Sequence, residues 1–271
     1  MDNKLKELVI KEYDSDFAKK SYEKIIKEGL FESEKYFIGK YFKKKEKVLD
    51  IGCGTGRASI QLHKLGYKMT GIDIVKSMIE KAKEIAKRNK LKIKYKVGDA
   101  TSLQFKDKEF DYALFTYQGW TKIPGKENRQ KALNEAFRVL KKGGIFLLTA
   151  RRRIWTGRHL FIWLWNWIRF YILKRIGFKI WEKDFGDRMW IDKGFIKWLK
   201  SRILKSIGFK IEDNYARYNT NQYYHIPSVE EVKRQIRASG FKILEINNRI
   251  ERQKWQKANK HSPLFYVCEK I

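Results

Sequence analysis

The chain has 271 residues, 43% hydrophobic and 34% charged, and its 61 Lys and Arg against 31 Asp and Glu give a formal net charge of +30. This composition can bury a full core for one domain of ordinary size with an elaboration, which argues against a disordered chain; two cysteines without metal-ligand spacing, Cys53 and Cys268, argue against a disulfide framework or a zinc site. The basic excess suits a polyanionic partner, either nucleic acid or an anionic membrane surface, and the opening residues carry no apolar run of export-signal length, so a cytoplasmic location is expected.

In chain order, residues 4–44 read as helical, with Phe17, Tyr22, Ile25 and Ile26 at helix spacing and no proline. From Lys47 onward short apolar runs alternate with amphipathic segments, the pattern of βαβ units on a parallel sheet. Strands are expected at 48–51, 68–72, 93–97, 112–116 and 145–149, with a helix running to Leu65 and closed by Gly66, and further helices at 75–89 and 127–140. After Pro227 come a helix over 228–238, capped by Gly240, and two last strands at 241–246 and 264–269. The expected fold class is α/β, a mostly parallel sheet of about seven strands flanked by helices.

The stretch Asp50-Ile51-Gly52-Cys53-Gly54-Thr55-Gly56-Arg57 falls where the first strand turns into a helix. Glycine there adopts backbone angles closed to other residues and lets a ligand approach the main chain. The helix start also offers unpaired N–H groups to a carboxylate or phosphate. A dinucleotide fingerprint G-x-G-x-x-G counted from Gly52 would need glycine at position 57, where Arg57 stands. Asp73, Asp99 with Ala100, and Tyr117 with Gln118 also fall at the carboxyl ends of expected strands, where an open α/β sheet holds its ligand. The structural alternatives are a helix N-cap for Asp73 and a turn role for Asp99.

The spacing D-x-G-x-G-x-G, with Asp73, Asp99-Ala100 and the turn Phe137-Arg138-Val139-Leu140-Lys141-Lys142-Gly143-Gly144, resembles the class I S-adenosylmethionine (SAM) dependent methyltransferases of the small-molecule kind over residues 45–150. The resemblance implies a Rossmann-like fold, SAM as cofactor and no metal. It implies that Asp50, Gly52, Gly54 and Gly56 hold the methionine end. Asp73, with Ile74 beside it, would take the ribose hydroxyls, and Asp99 and Ala100 would meet the adenine. Tyr117 and Gln118 would line the methionine end or the acceptor. Lys142 replaces the proline of the family's RVLKPGG turn. The leading segment would pack over the pocket, where Tyr13 and Tyr22 either reach the ligand or serve as packing aromatics.

Residues 151–222 lie where such a fold needs only a connection and read as an inserted helical cap, leaving 1–150 and 223–271 as the SAM-binding domain. Within the insert, Ile172-Leu173-Lys174-Arg175-Ile176-Gly177-Phe178-Lys179-Ile180 resembles Ile203-Leu204-Lys205-Ser206-Ile207-Gly208-Phe209-Lys210-Ile211. A helix over 159–176 is apolar almost all round and flanked by Arg151, Arg152, Arg153, Arg158, Lys174 and Arg175. It is too short to span a bilayer comfortably. Two readings are open: a helix buried against the sheet domain or a dimer partner, and an interfacial helix placing 155–175 on an anionic membrane surface. Basic residues interleaved with aromatics, and a Tyr223-Tyr224-His225 stretch similar to that of methyltransferases modifying wobble uridines of tRNA, also allow RNA as a partner.

The leading functional expectation is methyl transfer from SAM to a small-molecule or lipid-like acceptor. The alternatives are an RNA-modifying methyltransferase and a membrane-surface binding protein that keeps the fold without turnover. The methyl of SAM is already activated, so alignment is the main task of the protein. Where a base is needed, His225 is best placed by sequence, with Tyr117 beside the acceptor; a packing or capping role is the alternative for His225.

Overall fold

The computed structural model describes residues 3–15, 22, 25–43, 45–153, 155–156, 158–177, 183–190, 222–247 and 263–271. In chain order its elements are α1 (Asn3–Tyr13), α2 (Glu32–Tyr41), β1 (Lys47–Ile51), α3 (Arg57–Lys64), β2 (Lys68–Asp73), α4 (Lys76–Arg88), β3 (Lys94–Val97), β4 (Phe110–Phe115), a short 3-10 helix (Gly119–Lys122), α5 (Lys126–Val139), β5 (Leu140–Ala150), α6 (Arg158–Trp167), a π-helical stretch (Ile168–Leu173), β6 (Asp187–Trp190), β7 (Gln222–His225), α7 (Val229–Ala238), β8 (Phe241–Asn247) and β9 (Leu264–Lys270).

Seven strands form one sheet in the order β3-β2-β1-β4-β5-β9-β8. The first five are parallel, and β9 lies antiparallel between β5 and β8. This is the mostly parallel, Rossmann-like sheet flanked by helices that the sequence predicts. β1 is buried at every position after Lys47 because helices cover both faces, as a parallel sheet requires. One face carries α5 and α7 through Leu133, Ala136, Val232 and Ile236; the other carries α2 and α3 through Phe37, Ile38 and Leu62. α4 shows how the sequence specifies such a helix: Met78, Ile79, Ala82, Ile85 and Ala86 form one buried stripe, and the Asn89 side chain closes the last turn on the Ile85 carbonyl.

Two expectations change. Among the described residues the helical reading of 4–44 is interrupted: α1 ends at Tyr13, Ile25 and Ile26 are again helical, and α2 begins only at Glu32, after Gly29 takes a left-handed φ of +70° and with the Phe31 N–H capped by the Glu34 carboxylate at 2.9 Å. The helix expected over 159–176 passes at Ile168 into a π-helical stretch. Gln222–His225 pairs antiparallel with Asp187–Trp190 in a separate two-stranded sheet, across the boundary expected between 222 and 223. Phe17, the second copy of the repeated motif (203–211) and most of the connection 247–262 lie outside the described residues.

Candidate functional site

The carboxyl ends of β1 to β4 open into a cleft enclosing about 1190 Å³, open solvent included. In the sheet order β3, β2, β1, β4, the cavity meets Asp99, Asp73, the glycine loop and Tyr117 in turn. α1 lies across the opening and contributes Lys6, Val9 and Tyr13 to its lining.

The glycines of the loop have different duties. Gly52, Gly54 and Gly56 all have positive φ, at +66°, +53° and +89°. A Cβ on Gly52 would stand 3.2 Å from the Phe115 ring and one on Gly54 3.4 Å from Tyr22, so both keep the cavity wall at backbone level. Gly56 does not line the cavity; its Cβ would meet the Tyr95 hydroxyl at 2.3 Å, so it serves the packing of the loop on β3. Asp50 lines the cavity and accepts from the Ser59 hydroxyl at 2.6 Å, joining the end of β1 to α3. Burial raises its carboxyl to about 6, with the Ser59 bond opposing. Thr55 lines the cavity with a buried Oγ1 that has no hydrogen-bond partner. Burial pushes the Cys53 thiol well above its ordinary value, which removes it as a nucleophile at neutral pH.

Asp73 binds the loop to β2: one oxygen accepts the Gly54 N–H and the other the Val75 N–H, both at 2.9 Å. Burial raises its carboxyl and those backbone bonds oppose the rise. Asp99 accepts from Thr101 and from Lys6 Nζ, the latter at 2.6 Å; burial pushes its carboxyl up, but these bonds hold it below the usual range. Ile74 and Ala100 both line the cavity. Tyr117 takes a strained φ of +54°, stacks on Phe31 and meets Tyr22 edge-on. Beneath it Arg57 is paired twice with Glu34, at 2.6 and 2.7 Å.

Gln118 is not among the lining residues; it supplies the second strained position, φ +67°, and donates its N–H to Thr149. His225 is also away from the cavity. It is fully buried, with Nδ1 2.8 Å from Asp187 and Nε2 2.7 Å from Glu231, beside the buried Arg129. A histidine with both nitrogens committed to carboxylates fastens the β6–β7 pair to α7. Sequence reasoning missed Lys6, Thr55, Lys122 and Glu12 around the cavity. Only Thr55 carried a signal, as an occupant of the glycine turn.

The residues present fit SAM. Ile51, Ile72, Ile74, Val75 and Met78 supply apolar walls, carboxylates at two adjacent strand ends suit a nucleoside, and the unpartnered Thr55 hydroxyl beside the glycine turn suits an amino-acid end. A row of such groups along the strand ends of an open α/β sheet suits a nucleoside-bearing ligand.

Residues 42–160 match the family model described as a methyltransferase domain. A demethylmenaquinone methyltransferase from Leptospira interrogans is 37% identical over 105 residues, covering 37% of this chain and 41% of the relative. A ubiquinone biosynthesis O-methyltransferase from Pelagibacter ubique is 40% identical over 105 residues, covering 39% of this chain and 42% of the relative. The chain thus spans about two fifths of the length of these curated relatives. A crystal structure of a SAM-dependent methyltransferase from Methanosarcina mazei shares the fold, with a TM-score of 0.64 at 24% identity over 90% of this chain and 99% of that one. Residues 42–160 thus match a methyltransferase domain, and the chain shares the fold of the SAM-dependent methyltransferases.

Proposed function

We propose that this protein transfers the methyl group of SAM to a small, lipid-like acceptor that enters the cavity at the β4 end. The observation that carries the reading is the cavity itself: beyond the glycine loop it continues past Phe115, Tyr117, Ile123 and Pro124, an apolar extension beside the cofactor groups. The names of the two quinone-biosynthesis relatives agree with an apolar acceptor. Bound SAM would supply a methyl group on a sulfonium, already activated for displacement.

The chain's own residues hold and orient. Asp73 would accept the ribose hydroxyls, and Asp99 would accept from the adenine once Lys6 yields its place. Thr55 and the loop amides would hold the amino-acid end. Tyr117, stacked on Phe31 and backed by Arg57, would set the direction of approach. The roof formed by α1, Tyr13 and Tyr22 excludes water from the reacting centre. Methyl-labelled SAM incubated with the protein and a total lipid extract should place label in the organic phase. Label confined to added tRNA, or no transfer to any fraction, would contradict the reading. In the stretch that suggested RNA, Tyr223 and His225 are buried and Tyr224 is half-buried.

An anionic membrane surface is the proposed meeting place with such an acceptor. In the described part of α6, Trp163 is buried against Trp155 and Phe185 and Asn166 accepts from Arg188, while Phe161 is 72% and Trp165 57% exposed and Lys174 and Arg175 follow. Exposed aromatics with adjoining cations are the chemistry of an interfacial helix. Among the described residues no helix is long and apolar enough to cross a membrane. The protein should float with phosphatidylserine vesicles and lose that binding in Phe161→Glu/Trp165→Glu; unchanged flotation would remove α6 as the contact.

A further inference from the structure

We propose that Lys122, held by Glu12, takes up the proton of the acceptor and then faces the oxyanion left behind, which makes the acceptor a phenol- or enol-like hydroxyl compound. This rests on the methyl-transfer reading above. Lys122 closes the 3-10 helix after β4 and lines the cavity. Its Nζ stands 3.7 Å from Glu12 Oε1, an ion pair just beyond hydrogen-bond range. The Glu12 side chain is 4% exposed, and neither of its oxygens has a hydrogen-bond partner among the described residues. A buried carboxylate left in that state is costly for a fold, and such groups concentrate where chemistry uses them.

The surroundings set how the pair responds to protons. Lys122 Nζ lies over the rings of Tyr13 and Tyr224, at 5.6 and 5.4 Å, with Arg151 near it, and Tyr13 and Tyr22 face Glu12. Burial lifts Glu12 to about 7 against the pull of Lys122; burial likewise lowers Lys122, with Glu12 opposing. Burial thus disfavours both charges and brings the proton affinities of the two groups closer together. α1 explains the placement: Lys6 meets Asp99 at the β3 end, and Glu12, about 9 Å further along the helix, reaches the β4 end where the acceptor enters.

The step conserves protons and needs no other reactant. The acceptor O–H bond breaks and its proton passes to Lys122 Nζ as an Nζ proton passes to a Glu12 oxygen. The acceptor keeps the electron pair as an oxyanion opposite the ammonium, and Glu12 ends as the neutral acid. Lys122 touches the acceptor and is a catalytic residue; Glu12 acts through it as a positioning residue and proton store.

The test uses meta-nitrophenol, a weaker acid whose phenolate is coloured and which is neutral in buffer at about pH 7, as the probe on the full chain saturated with S-adenosylhomocysteine and titrated through the Glu12 value of about 7. The bound probe should ionise with a dissociation constant raised about tenfold or more, as expected for an anion at contact distance from a cation. Lys122→Met should abolish the rise, and Lys122→Arg, which keeps the charge, should preserve it. At about pH 7, Glu12→Gln should keep the phenolate but release to the buffer more protons than the native pair, which keeps part of them on Glu12, read by calorimetry in buffers of different protonation enthalpy. A probe that stays neutral or unbound, or an equal rise in Lys122→Met, overturns the proposal. S-adenosylhomocysteine binding in the same samples separates the outcomes: its failure in the native protein removes the methyl-transfer reading itself.

Discussion

At the scale of single residues, similar side chains do unlike work, and only geometry separates them. Gly52, Gly54 and Gly56 are equivalent in a motif, but only Gly56 is pressed against Tyr95. Gly56→Ala should destabilise the protein by about 2 kcal/mol or more, since overpacking and a left-handed φ on a residue with a Cβ each cost ~1–3 kcal/mol. Thermal melts check this, and Tyr95→Phe, which removes the nearest atom, should restore part of the loss. Asp187 and Glu231 follow a different rule. Burial pushes both carboxyls up, but His225 holds them below the usual range. Folding then favours their ionised forms, so their contribution is present above the unfolded carboxyl value of ~4 and is lost as pH falls through the lower folded values. The melting-temperature advantage of the native protein over Asp187→Asn should be full at neutral pH and shrink below about pH 4.

At the scale of elements, two segments are held by charge placed inside the fold. The β6–β7 strand pair is fastened through His225, Asp187, Glu231 and Arg129. His225→Ala leaves buried charges uncompensated, a loss of about 3–5 kcal/mol. Chemical denaturation should register that loss while SAM affinity per folded molecule stays unchanged; a reduced affinity with intact stability would instead return His225 to the binding site. α1 is the second segment. Its sequence, mixed in charge and only weakly amphipathic, gives no sign that Lys6 and Glu12 reach opposite ends of one cavity. That information lies in contacts between residues 93 positions apart for Lys6–Asp99 and similarly distant for Glu12–Lys122, which local periodicity does not encode.

At the scale of the molecule, the doubly covered sheet was legible because each βα unit announces itself locally. The buried run of β1, the stripe of α4 and the cap at Gly66 are all short-range patterns, and the strand-end positions of Asp50, Asp73 and Asp99 follow from them. The insert was less legible, because an apolar helix such as α6 reads the same whether it is buried or bare. Its exposed Phe161 and Trp165 became apparent only once its neighbours were placed. Net charge located neither site: the cavity depends on a few buried carboxylates and cations, while the excess of basic residues is spread along the whole chain.

The central claim is that the cavity at the strand ends holds SAM through the carboxylate row. Isothermal titration with SAM on the native protein and on Asp73→Ala tests it most directly. One saturable site is expected, weakened about 100-fold or more by the substitution, the scale of two hydrogen bonds to a charged group at ~1.5–3 kcal/mol each. Native protein that fails to bind SAM, or an Asp73→Ala variant that binds with full affinity, would contradict the account.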